Sequence, residues 1–124
     1  MLKSIYKIEE SIRTGNSITV CILLNPEHDI FKAHFPENPI MPGVMLIQIG
    51  RDLLSDILNL HLRLQSAKNI KFLSIINPVI NPRVYFHIDF TEVNGLIQAD
   101  IMIKFEETVF TKIRATFKET VNAD

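Results

Sequence analysis

Residues 34–48 read His34-Phe35-Pro36-Glu37-Asn38-Pro39-Ile40-Met41-Pro42-Gly43-Val44-Met45-Leu46-Ile47-Gln48, and we interpret the rest of the chain around them. The three prolines fix φ and exclude a regular helix, so an extended loop is predicted from Phe35 to Met41. Pro42 suits the first position of a helix, where its missing N–H would have no intrahelical partner. Gly43 has no Cβ, so another group can approach the helix start closely.

The start of this helix is a chemically useful position. The first backbone N–H groups of a helix have no partner, and the helix dipole favours negative charge there. A carbonyl oxygen held against the Gly43 N–H would be polarised. His34 could then take a proton from the neighbouring carbon, because histidine titrates near neutrality. The alternative is that His34 caps a turn or is a hydrogen-bonded structural residue, but the Pro-Gly helix start beside it favours the functional interpretation.

The run His-Phe-Pro-x-x-Pro-Ile-Met-Pro-Gly-Val resembles the signature of the 3-hydroxyacyl-(acyl-carrier-protein) dehydratases of type II fatty-acid synthesis. Residues 70–82 resemble that family's Lys-Phe strand and the proline-flanked turn after it. The resemblance covers most of the chain from about Ile18 and implies a single α+β domain over residues 1–124 with the hot-dog fold. In this fold a curved antiparallel sheet of about six strands wraps one long central helix. The family pairs as dimers, and the histidine of one subunit faces an acidic helix position of the other across an acyl-chain tunnel.

The resemblance also implies which residues form the site. His34 takes the position of the catalytic histidine, and Phe35, Pro42, Gly43 and Val44 take positions that would bind the thioester. No external cofactor and no metal ion are implied.

One position departs from the family. Its members carry Glu or Asp fourteen residues after the histidine, whereas this chain has Gln48 there. An amide can orient a water but cannot donate a proton and remain as a carboxylate. Asp52 lies four residues later on the same helix face, about one turn deeper. Gln48 and Asp52 are therefore candidate catalytic residues with His34, although Arg51 could instead neutralise Asp52.

Composition limits the function further. The chain has 124 residues, 47% of them hydrophobic, which favours one folded domain with surface buried against a partner subunit. A formal net charge of −1 gives no electrostatic argument for binding nucleic acid or a membrane. The single cysteine, Cys21, excludes an internal disulfide. The charged N-terminal residues are untypical of a signal peptide and no apolar run would span a membrane, so we expect a cytoplasmic protein.

Hydrophobic periodicity predicts the elements. Strands are expected over residues 2–12, 17–24, 68–76, 83–90 and 97–105 and after residue 108, with a loop over residues 25–29. Asn94-Gly95 is a strong hairpin signal. The helix is predicted from Pro42 to about Leu60, with one polar stripe made of Gln48, Asp52, Ser55, Asp56 and Asn59. The lower part of this stripe is interpreted as a solvated face.

Three functions remain open. The leading hypothesis is a dehydratase that converts a 3-hydroxyacyl thioester on acyl carrier protein into a trans-2-enoyl thioester, working as a homodimer. The second is a non-catalytic or half-catalytic subunit that binds acyl carrier protein or completes a heterodimer with a second hot-dog subunit, because Gln48 replaces the acid. The third is a hot-dog thioesterase, which would need a carboxylate-activated water.

Overall fold

The computed structural model describes residues 5–33, 37 and 39–120, with the side chains of residues 32 and 33 excepted. Its elements follow in chain order: β1 (Tyr6–Thr14), β2 (Ser17–Leu24), α1 (Asp29–Ala33), α2 (Gly43–Leu58), β3 (Leu62–Phe72), β4 (Arg83–Val93), β5 (Leu96–Phe105) and β6 (Thr108–Glu119). None of the helices in this part of the chain is long and apolar enough to span a membrane.

The strands form one antiparallel sheet in the order β1-β2-β4-β5-β6-β3. Buried and exposed residues alternate along β4 and β5, which places one face of the sheet in the core. The predicted Asn94-Gly95 hairpin is confirmed: both residues have positive φ, 53° and 79°, as a tight two-residue turn requires.

Helix α2 packs on the concave face of this sheet. Its buried residues Leu46, Ile49, Gly50, Leu53 and Leu54 recur at the spacing of one helix face. A Cβ on Gly50 would lie 3.0 Å from Cδ1 of Ile101, so glycine allows the helix to approach β5 closely. The predicted α+β hot-dog architecture, one long helix against a curved six-stranded sheet, is confirmed.

The ends of α2 differ slightly from the prediction. Pro42 is the N-cap and not the first helical residue, because its ψ of 137° is extended. The helix ends at Leu58, and Asn59 follows in the left-handed conformation with φ 55°. Asn is one of the few residues that adopt this conformation readily.

Strand β3 begins six residues and ends four residues earlier in the chain than predicted. It runs over Leu62–Phe72 and not over residues 68–76. The prediction took the proline-flanked turn as the end of the strand, but the pairing with β6 ends at Phe72 and is interrupted by two register shifts, at Leu64/Ser66 and Lys68/Lys71. Residues 73–82 belong to no strand, although Leu73 and Ser74 donate backbone hydrogen bonds to the Phe110 carbonyl.

The loop predicted over residues 25–29 is confirmed for residues 25–28, and a short helix that was not predicted follows it. Helix α1 begins at Asp29, and His28 Nδ1 accepts a hydrogen bond from the Ile30 N–H at 3.1 Å. Phe31 holds this helix against the core, where its side chain is 1% exposed. Within the predicted extended loop, residues 39–41 lie outside any helix or strand, while residues 35, 36 and 38 lie outside the described part of the chain.

Candidate functional site

A backbone hydrogen bond ties the N-terminus of α2 to the segment after β3. The Met41 side chain is buried, and its N–H donates a 2.8 Å hydrogen bond to the Ile76 carbonyl in the segment after β3. Pro42 provides no side-chain cap. The first N–H groups of an α-helix have no intrahelical acceptor. The N-terminus of α2 therefore presents backbone N–H donors and the positive end of the helix dipole.

The close approach at Gly43 involves Phe72, the last residue of β3. A Cβ built on Gly43 would lie 2.5 Å from Cζ of Phe72 and 2.6 Å from its Cε1, so the aromatic ring covers the glycine. This ring is itself 58% exposed to solvent. Any other residue at position 43 would therefore displace the ring from the helix start.

Gln48 and Asp52 line a groove beside α2. Both side chains are half-buried. The groove has a volume of about 780 Å³, and its other walls come from the rest of the polar stripe, from the start of β1 and from residues that flank the helix exit: Tyr6, Arg51, Ser55, Asp56, Asn59, Leu60, His61, Leu62 and Thr120. The polar stripe thus forms a wall of this groove. Asp56 and Asn59 are exposed and Ser55 is half-buried, in line with the solvated face predicted for the lower part of the stripe.

Asp52 is paired with its neighbour. Arg51 donates to the same carboxylate oxygen of Asp52 from Nη2 at 3.0 Å and from Nε at 3.2 Å. An ionised carboxylate with these partners is an acceptor and carries no proton to donate. The arrangement favours an electrostatic or structural role for Asp52 over that of an acid.

Sequence reasoning missed Tyr6. Burial, followed by the negative charges of Asp52 and Asp56, raises the pKa of the Tyr6 phenol to about 12. The phenol therefore stays protonated and brings a hydroxyl donor to a groove whose lining includes the carboxylates of Asp52 and Asp56. No local pattern marks this residue, because it reaches the groove only through the pairing of β1 with β2.

The remaining predicted site residues divide into two groups. Pro42 and Val44 lie at the helix start with Gly43, and the Val44 side chain is 60% exposed. His34 and Phe35 lie outside the described residues, so their roles stay predictions. Among the described residues there is no cluster of three His, Cys, Asp or Glu side chains that could hold a metal ion.

A family model described as ApeI-like, ApeI dehydratase, matches residues 10–92, about two thirds of the chain. The chain belongs to the ApeI-like dehydratase family. The match includes residues 34–48 and both ends of β3. No curated protein matches the sequence.

Solved structures support the fold. A chain of the ApeI:P dehydratase heterocomplex from Xenorhabdus doucetiae is 17% identical, with a TM-score of 0.74 over 92% of this chain and 98% of that one. A Helicobacter felis homologue of HP0420 is 14% identical, with a TM-score of 0.67 over 97% and 92% of the two chains. A Shewanella oneidensis protein provisionally assigned as a thioesterase is 12% identical, with a TM-score of 0.60 over 97% and 88%. At these identities the likeness demonstrates the hot-dog fold and leaves the reaction to be argued from the site.

Proposed function

We propose that this chain removes water from a 3-hydroxyacyl thioester carried on acyl carrier protein and gives a trans-2-enoyl thioester. The observation that carries the proposal is the start of α2, which Pro42 leaves without a side-chain cap and which is followed one turn later by half-buried Gln48. The thioester carbonyl would bind at the helix start, and the 3-hydroxyl group of the same substrate would lie one turn further along the helix, near Gln48. Membership of the ApeI-like dehydratase family supports the same reaction.

The first half of the reaction is a proton transfer. The Gly43 N–H would donate a hydrogen bond to the thioester carbonyl oxygen, and the helix dipole would stabilise the negative charge that develops on it. His34 would take the proton from C2, which is acidified by that carbonyl. For the carbonyl to reach Gly43, the exposed Phe72 ring would have to turn away from the helix start.

The second half breaks the bond between C3 and oxygen. The electron pair of the enolate forms the C2–C3 double bond while the hydroxyl leaves, and the proton held by His34 completes the water molecule. Gln48 can hold the departing oxygen through its amide N–H groups but cannot supply the proton. Asp52, paired with Arg51, would take no direct part in this step.

A second subunit would complete this site. Large apolar side chains are exposed around the helix start and along the segment after β3: Val44, Phe72, Leu73, Ile75, Val79 and Ile80. Exposed apolar patches of this kind are typical of subunit interfaces. We therefore place the catalytic unit in a dimer, whose partner covers the groove and excludes water from it.

The second candidate is a half-catalytic subunit of a heterodimer. Gln48 in place of an acid favours it, and the solved structure with a TM-score of 0.74 is a chain of a dehydratase heterocomplex. In this case a second hot-dog subunit would supply the carboxylate that this chain lacks.

One assay separates these functions. The purified chain is incubated with a 3-hydroxyacyl carrier protein, and mass spectrometry follows the enoyl product, the free acid and the free carrier thiol. We expect enoyl product from the chain alone and none from His34→Ala. Product only after addition of a second hot-dog subunit would instead establish the heterodimer, and release of free acid and thiol would establish a thioesterase.

A further inference from the structure

The outer face of β3 and β6 places like charges directly opposite one another. Three cross-strand pairs in the register of these strands are cation against cation: Arg63 with Lys118, Lys68 with Arg114, and Lys71 with Lys112. All six side chains are exposed. We call these six residues the basic face.

The basic face concentrates positive charge in a chain whose formal net charge is −1. It holds six of the 13 lysine and arginine residues, while β3 and β6 contain only one of the 14 acidic residues, Glu119. Like charges directly opposite on neighbouring strands destabilise a sheet. Three such pairs therefore require an explanation other than the stability of the isolated chain.

Neighbouring acids neutralise little of this charge. Asp100 on β5 accepts a 2.8 Å hydrogen bond from Arg114 Nε, but the two side chains are 60% and 65% exposed, so water screens the pair. Asp89 lies opposite Asp100 on β4, one strand further from the basic face. Within the described residues, the other five cations of the basic face form no ion pair.

The surface beside these cations is hollow. A depression of about 500 Å³ lies over β3–β6, and its walls include His87, Met102 and both kinds of charge. The cations Lys71, Lys112 and Arg114 lie on its β3–β6 side, and the acids Asp89 and Asp100 lie on its β4–β5 side. The apolar Met102 lies between the charged groups in the register, opposite both His87 and Lys112. A protein surface that carries carboxylates around a small apolar contact would fit this combination.

The basic face ends next to the proposed site. Lys71 is followed by Phe72, and successive residues of a strand point to opposite faces of the sheet. Lys71 thus belongs to the outer face, while the Phe72 ring covers Gly43 at the start of α2. A partner on the basic face would lie at the end of β3 that passes over the helix start.

We propose that the basic face is the docking surface for the acidic carrier protein that delivers the thioester. This proposal rests on the proposed function and specifies which surface of the chain its carrier contacts. Charge complementarity would speed the encounter and orient the carrier, with the acyl arm directed past Phe72 towards Gly43.

The like-charge pairs allow docking to be separated from folding. In Lys112→Glu the repulsive pair with Lys71 becomes attractive, so stability against denaturant should be equal or higher, whereas carrier affinity should fall roughly three- to tenfold. Affinity is measured by calorimetric titration with a carrier protein that bears an unreactive saturated acyl group. Lys7→Glu makes the same charge change on the exposed part of β1 and should leave the affinity unchanged.

Adding a second reversal sharpens the test. Lys71→Glu with Lys112→Glu restores a like-charge pair of opposite sign, so stability should return towards that of the parent while affinity falls further. The dependence of affinity on salt should also weaken in both variants. If Lys7→Glu lowers the affinity as much as Lys112→Glu, the surface assignment is wrong. Binding of a short DNA duplex that both reversals abolish, with carrier binding unchanged, would also overturn it.

Failure of the docking surface and failure of the proposed function have different signatures. A 3-hydroxyacyl N-acetylcysteamine thioester, which has no carrier, should be dehydrated at the same rate by the parent chain and by Lys112→Glu. If neither protein converts this substrate or the carrier-bound one, the proposed function fails. The titration with carrier protein then still shows whether the carrier binds to the basic face.

Discussion

At the scale of single residues, Gln48 determines how the proposed reaction can work. It is half-buried in a groove with Asp52, and the Asp52 carboxylate already accepts two hydrogen bonds from Arg51. Position 48, one turn into the helix, therefore carries an amide where the family has a carboxylic acid, and Asp52 does not replace that acid. In the proposed mechanism His34 therefore supplies the proton to the departing hydroxyl, and the Gln48 amide holds that hydroxyl in place.

Gln48→Glu should accordingly preserve or raise dehydratase activity. The new carboxyl group could donate a proton to the departing hydroxyl, a contribution of roughly 10²–10⁴ where general acid catalysis limits the rate. The measurement is kcat for the carrier-bound substrate, and Gln98→Glu on the exposed side of β5 is the matched control. A folded but inactive Gln48→Glu would show that the mechanism does not follow the family pattern with a carboxylic acid at this position.

Gly43→Ala tests the helix start. The added methyl would meet the tip of the Phe72 ring, which is exposed and can turn away, so the free energy of unfolding should change by no more than about 1 kcal/mol. Activity should fall, because the methyl occupies the approach to the Gly43 N–H.

Gly43→Ala combined with Phe72→Ala separates the two effects. The smaller side chain at position 72 removes the clash but leaves the methyl, so activity should stay low if the carbonyl needs access to position 43. Recovery of activity would show that the glycine serves only to seat the aromatic ring.

Some of these residues could be predicted from the sequence and others could not. The spacing in residues 34–48 identified Gly43 as a point of close approach and placed Gln48 one turn into the helix. It could not identify Phe72 as the group that approaches, because that contact depends on where β3 ends. Tyr6 was missed for the same reason, since only sheet pairing brings it to the groove.

At the scale of elements, local pattern succeeded where alternation was regular. Strand β2 and the β4–β5 hairpin lie at or close to their predicted bounds because one face is buried and the turn residues are typical. The bounds predicted for β3 were wrong because the proline-flanked turn was taken as its end, whereas its pairing with β6 stops at Phe72. Helix α1 was missed because it is only five residues long, and Phe31 is its fully buried side chain among those that the structure describes there.

The contribution of the Phe31 side chain to stability can be tested. Phe31→Ala should lower the free energy of unfolding by about 3–5 kcal/mol, as is typical for a fully buried aromatic residue. Ile30→Ala removes a half-buried neighbour in the same helix and should cost about 1 kcal/mol. Urea denaturation measures both. Similar losses in the two variants would contradict the view that Phe31 anchors the helix.

At the scale of the whole molecule, the fold leaves apolar surface uncovered beside the proposed site. Ile80 is 73% exposed and Val79 is 62% exposed, in the segment that follows β3 and holds Met41 through Ile76. A chain with this surface is expected to bury it against another subunit. The high hydrophobic content, 47%, led to the same expectation from the sequence.

If the chain forms the proposed dimer, Ile80→Asp should convert it into a monomer. A charge at this position would have to be desolvated in the interface, whereas in the separated chain it would remain in water. Light scattering after gel filtration should give about 14.2 kDa for the variant and about twice that mass for the parent. Ile12→Asp changes an exposed isoleucine on β1, away from this segment, and should leave the dimer intact.

The activity of Ile80→Asp shows what a second subunit contributes to the site. If the groove needs a partner to exclude water, Ile80→Asp should lose turnover in proportion to its loss of dimer, and higher protein concentration should restore part of it. A fully active monomer would show that one chain holds the whole site. A parent chain that is monomeric and inactive alone would instead point to a different hot-dog subunit as the natural occupant of this surface, and Ile80→Asp should then prevent that subunit from binding.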